Sequence, residues 1–128
     1  MDTSLLQQLV FKQVPVEFIL SLRHTILRPG LPIETARFDG DRHPATHHFA
    51  CFHVDNMSGE PLCCVSYMLR DYEDKPAWQL RGMATQTEMA GKGIGKALVS
   101  HAEKILPERT NIKTFWCNAR SESTGFYE

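Results

Sequence analysis

The chain reads as α+β: a mixed, mostly antiparallel central sheet flanked by helices in α/β/α-like layers. Three observations predict this. Apolar or alternating segments at residues 47–55, 62–69 and 77–85 are joined by short polar turns, the pattern of an antiparallel meander. The third segment is followed by Gly91, Gly93 and Gly95 and then by apolar residues three or four apart, a strand–turn–helix unit. Another apolar stretch, residues 113–118, follows that helix and is expected to lie parallel to the strand before it, through a right-handed crossover.

A chain of 128 residues can bury one core, so residues 1–128 are expected to form a single domain. The formal net charge of -1 argues against a basic nucleic-acid surface and an electrostatic membrane anchor. No apolar run approaches the ~20 residues of a membrane helix. The start, MDTSLLQQLVFKQ, lacks the basic n-region of a secretory signal, which makes a cytoplasmic location the default expectation. Cys51, Cys63, Cys64 and Cys117 form no Cys-x-x-Cys pair, and three lie in apolar, strand-like segments, as free core thiols would. His47 and His48 are adjacent in a strand pattern and so point to opposite faces, poorly placed to share a metal.

In chain order, residues 5–12 suggest a first strand. Pro15 suits the first position of a helix carrying Phe18, Ile19, Leu22 and Ile26 on one face, and Arg28-Pro29-Gly30 ends it. Residues 31–47 form a long polar loop of both charges, either an acceptor-binding element or a solvated surface. In the next strand Phe49, Cys51 and His53 share one face; His48, Ala50, Phe52 and Val54 share the other. Residues 56–59 give a hairpin turn. The return strand sets Leu62, Cys64 and Ser66 against Cys63, Val65 and Tyr67, and a charged turn leads to residues 77–85. Ile94, Ala97, Leu98, His101, Ala102 and Ile105 define the helix, with a break expected at Pro107.

The glycines fall where that helix begins. Its first N–H groups have no intrahelical partner and its dipole is positive there, so a turn stripped of side chains suits a phosphate or pyrophosphate. The same spacing also serves plain turn geometry. Gly95-Lys96 is followed by Ala97 and not by the Ser/Thr of a P-loop, and the dinucleotide fingerprint fails at its third glycine.

LRGMAT at residues 80–85, followed by GKGIGKALV at residues 91–99, resembles motif A of the GNAT N-acetyltransferase superfamily. NAR at residues 118–120 with GFYE at residues 125–128 is similar to the start of its motif B. The resemblance implies a GNAT-like fold and acetyl-CoA as cosubstrate. It places the pyrophosphate at Ala90, Gly91, Lys92, Gly93, Ile94, Gly95 and Lys96, where Ala90 departs from the family's Gln/Arg. It also implies that the two parallel strands splay apart. The pantetheine arm would then bond the backbone of Met83, Ala84 and Thr85 and the side chain of Asn118. Tyr127 would protonate the leaving CoA thiolate.

Family members continue through the rest of the motif B helix and two more strands beyond the point matched by Glu128, so the expectation is a truncated domain, strands supplied from elsewhere, or a curtailed fold. The edge so exposed invites pairing, and a homodimer is one way to cover it.

The implied reaction is direct transfer of acetyl to an amine of a small molecule or peptide, with no metal. The strand before the loop supplies no carboxylate base; Glu34, His47 and His48 are candidates, as is water. A covalent route through Cys117 finds no base nearby in sequence. A non-catalytic acyl-CoA-binding or assembly domain of the same fold stays open as the alternative.

Overall fold

The computed structural model describes residue 5 and residues 7–117. Five strands form one sheet in the order β1-β2-β3-β4-β5. They are β1 (Leu9–Val14), β2 (His47–His53), β3 (Cys63–Leu69), β4 (Trp78–Thr85) and β5 (Phe115–Trp116). The first four pair antiparallel; β5 runs parallel to β4, as the intervening helix predicts. Helix α1 (Leu20–Leu27) follows a short 3-10 turn, Val16–Phe18, and α2 (Ile94–Thr110) links β4 to β5.

The alternation read from the sequence sorts the two faces. Phe49, Cys51, Cys63, Val65 and Tyr67 pack beneath α2 against Ile94, Leu98, Ala102 and Leu106. Ala50, Phe52, Cys64 and Ala84 face α1 and meet Ile19, Leu20 and Leu22. Burying both sheet faces supplies the main stabilisation, about 25 cal/mol per Å² of apolar surface. Cys51, Cys63 and Cys64 are buried and free. Desolvation pushes the thiols of Cys51 and Cys64 up to about 12, so they stay protonated as core residues.

Several expectations are corrected. The first strand starts at Leu9, because Gln8 N–H turns back to the Leu5 carbonyl and only Leu9 onward pairs with β2. Pro15 caps the 3-10 turn and does not open α1, and Phe18 is 55% exposed outside the apolar face. The last strand spans two residues where six were expected. Pro107 does not break α2, which continues to Thr110 and ends on left-handed Asn111. A proline there costs a backbone hydrogen bond, but Leu106 beside it is fully buried, and that packing holds the turn.

The described β4–β5 pairing is short. The parallel pairing comprises Trp78↔Phe115 and Gln79↔Trp116, and no further β4 residue has a β5 partner among the described residues. On the other side, Ser66 pairs with Arg81 and Cys64 with Ala84, so Gly82 and Met83 together oppose Val65. This is a β-bulge, which bends β4 and increases its twist. Gly82 accommodates it with a φ of 62°. No helix among the described residues is long and apolar enough to cross a membrane.

Candidate active site

The glycine turn leaves a row of backbone donors exposed at the start of α2. Gly91 and Gly93 take left-handed φ values of 79° and 80°. A Cβ on Gly91 would meet nothing within 4 Å, so the turn is open on that side. Gly93 is the N-cap of α2 and offers no side-chain acceptor. Ala97 N–H bonds back to the Gly93 carbonyl, but within residues 91–96 no backbone N–H has a hydrogen-bond acceptor among the described residues. That row of donors sits at the positive end of a 17-residue helix, with exposed Lys92 and Lys96 beside it.

The expected site residues divide by role. Ala90 is exposed and extended, just before the turn. Ile94 is 1% exposed and its side chain belongs to the core, so only its N–H is available. Gly95 has a second reason beside the one expected. A Cβ there would meet the terminal methyl of Met83, so this glycine also eases the approach of α2 to β4. Met83 points to α2, Ala84 is buried toward α1, and the Thr85 hydroxyl donates to Cys63 Sγ at 3.2 Å. Among the described residues their backbone has no β5 partner. Asn118 and Tyr127 lie outside the described residues.

The base candidates are placed differently. His47 pairs with Tyr67 on β3 and sets its ring edge-on against Trp78 at the far end of β4, about 23 Å of strand from Thr85. Burial, then the charges of Arg109 and His48, lower its pKa. Glu34 is exposed on a 3-10 turn, Ile33–Ala36. Cys117 is raised by burial and then by the Glu103 charge, which disfavours a thiolate.

His48 belongs to a buried network on the α1 face that the sequence reading missed. Arg23, fully buried, donates bidentately to Asp41 at 2.7 and 3.0 Å, to the Ala36 carbonyl at 3.0 Å and to Ser66 Oγ at 2.7 Å. Arginine can only donate, so Ser66 accepts from it and gives its own hydroxyl proton to His48 Nδ1 at 2.6 Å. His48 Nε2–H then donates to the Asp41 carbonyl at 2.9 Å. The neutral imidazole satisfies every partner. Burial and the Arg23 charge lower its pKa, with the Asp41 carbonyl opposing them. Both nitrogens are engaged, so His48 holds structure and is no free base.

This network anchors residues 31–46. Asp41 also accepts from the Phe38 N–H at 2.8 Å, and Phe38 lies against the bulge. A Cβ on Gly82 would come within 2.8 Å of Arg23 Nε and 2.9 Å of Phe38 Cε2. One signal was present: Arg23 follows Ile19 by four residues, on the helix face that turns inward.

A strand, a glycine turn, a helix and a parallel strand, in that order beside an antiparallel meander, form the fold the GNAT resemblance implied. The profile of the Acetyltransferase (GNAT) family matches residues 17–128, and the chain belongs to that family of N-acetyltransferases. It is 31% identical over 119 residues to the uncharacterized N-acetyltransferase YitI of Bacillus subtilis (strain 168), a match covering 91% of this chain and 76% of YitI. Its fold is shared with an acetyltransferase from Clostridium acetobutylicum solved with acetyl-CoA. That match has a TM-score of 0.69 at 14% identity and covers 93% of this chain and 86% of that one. AAC(6')-Iy, solved with a bisubstrate analogue, matches with a TM-score of 0.68 at 17% identity, covering 91% of this chain and 82% of the other.

Proposed function

We propose that the protein transfers acetyl from acetyl-CoA directly to an amine of a small molecule or peptide. The observation that carries this reading is the run of N–H groups at residues 91–96 that have no acceptor among the described residues, at the start of the helix that packs on β4. The turn suits the pyrophosphate, and the backbone at Met83, Ala84 and Thr85 suits the amide arm, which can satisfy an open strand edge as another strand would. The amine nitrogen attacks the thioester carbon, a C–N bond forms, the C–S bond breaks, and CoA leaves. Tyr127 supplies the proton to the thiolate, and Asn118 contacts the arm, as the family motif implies. The amine gives up its proton to water, a route supported by His47 standing at the far end of β4 and by both His48 ring nitrogens being engaged.

Acetyl-CoA affinity by calorimetry tests the turn. Gly93→Val forces a β-branched residue into a left-handed conformation, which costs roughly 1–3 kcal/mol, so affinity should fall about 10- to 100-fold. Gly93→Asn, which tolerates that conformation, should retain most of it. Equal affinity in all three proteins would remove the pyrophosphate assignment.

Ala90→Arg restores the family's side chain. A charge-assisted contact to phosphate is worth about 1.5–3 kcal/mol, less where exposed, so binding should tighten by about tenfold. Unchanged or weaker binding would mean that the turn is displaced relative to the family pattern. Acetyl-CoA binding without transfer to any amine would favour the non-catalytic reading.

A further inference from the structure

The aromatic ring that packs on the β4 bulge is surrounded by guanidinium groups. Arg23, Arg81 and Arg28 lie 4.1, 4.9 and 6.0 Å from the centre of the Phe38 ring. Arg23 has its carboxylate in Asp41. Arg28 and Arg81 have none among the described residues. Arg28 donates to the adjacent Leu27 carbonyl at 3.1 Å, and Arg81 reaches Met68 Sδ at 3.8 Å, a weak acceptor. Asp39 and Glu34, on the loop that carries Phe38, are exposed and form no ion pair with either. Arg23 Nε is a buried donor without a partner, turned toward Gly82.

With Arg23 neutralised by Asp41, the Arg28 and Arg81 charges around the ring remain uncompensated among the described residues, and an anion between them would be attracted to both. Arg81 registers the crowding: burial lowers its pKa first, then the charges of Arg70, Arg23 and Arg28, with Asp41 opposing. The position is equally specific. Arg81 immediately precedes the bulge, on the α1 face it shares with Ser66, and Met83 lies only about 7 Å further along β4. A small acceptor can bridge that distance with a few bonds.

We infer that the acceptor amine carries an anionic group, a carboxylate or a phosphate, which Arg81 and Arg28 receive on the Phe38 ring beside the Gly82 bulge while the amine faces the end of β4 at Met83–Thr85. This rests on the acetyl-transfer reading above. Forked guanidinium donors suit both anions, and two of them in one place disfavour a polycationic amine.

The test uses the full chain with saturating acetyl-CoA and reads free thiol release, with binding to the CoA-bound protein measured in parallel by calorimetry. The probes are amino acids as free acids, their carboxamides, aminoalkyl phosphonates and a polycationic aminoglycoside. Free acids or phosphonates should exceed the matched carboxamides in kcat/KM or affinity by about 10- to 100-fold. Whichever of the two is preferred identifies the anion. Arg81→Gln and, independently, Arg28→Gln should shrink that ratio to below about threefold, through the acid and not the carboxamide, and Arg81→Lys should restore part of it. Acetyl-CoA affinity of these variants reports that the fold and the cofactor site are intact. Equal handling of acid and carboxamide, preference for the aminoglycoside, or no binding of any anionic probe by protein that holds CoA overturns the acceptor inference alone. Failure of the wild type to bind acetyl-CoA overturns the transfer reading, and the acceptor assignment with it.

Discussion

Asp41→Ala should unfold this domain more readily than any other single substitution on the α1 face. The carboxylate is the counter-charge of Arg23, whose side chain is fully buried, and it also holds the Phe38 N–H. Removing one partner of a buried pair leaves the other charge desolvated, at a cost of about 3–5 kcal/mol. In a domain of this size each kcal/mol lowers Tm by about 3–5 °C, so a drop of roughly 10–20 °C is expected. Arg23→Met combined with Asp41→Ala should recover much of the loss, because the stranded charge goes with its partner. Thermal and urea unfolding of wild type, single and double variants read this directly. A single-variant loss below about 1 kcal/mol would mean that water reaches Arg23 and that the loop at residues 31–46 has another anchor.

The anchoring matters because Asp41 and Phe38 bring the loop to Gly82, and Gly82 is where the bulge bends β4. The loop, β4 and the arginine cluster therefore meet at one bulge. Little of that convergence is visible in the sequence. The faces of β2 and β3 are, because a period of two places His48 with Ala50, and Cys64 with Ser66, whatever lies around them. The start of α2 is visible too, since Ile94 is both the first periodic residue and the first after a left-handed glycine. Gly82 within a strand was a legible sign of a bulge, but its consequence depends on how far β5 follows β4, and that is decided by packing. The Arg23–Asp41 pair joins residues eighteen apart across a loop, which no local pattern encodes. Pro107 misled for the opposite reason: local propensity predicted a break, and the burial of Leu106 prevailed.

Replacing Tyr127 by phenylalanine should lower the turnover number by about 10²–10⁴-fold, the usual span for a group that transfers one proton. The assignment comes from the GFYE motif at residues 125–128, beyond the described residues. Among the described residues the competing proton donors near β4 are poor: Cys117 is raised by burial, and His47 lies toward the other end of the strand. A phenol keeps its proton at neutral pH, and a departing thiolate is close enough in basicity to take it. The substitution deletes one hydroxyl and keeps the ring, so acetyl-CoA affinity should hold within about twofold, since the ring carries most of any packing energy. Turnover and affinity then separate the roles. A fall in turnover at constant affinity, largest with amines for which chemistry limits the rate, identifies the acid. Full turnover with chemistry shown to be limiting places the proton donor in solvent or on another side chain. Lost acetyl-CoA binding would instead make Tyr127 a packing residue of the cofactor site.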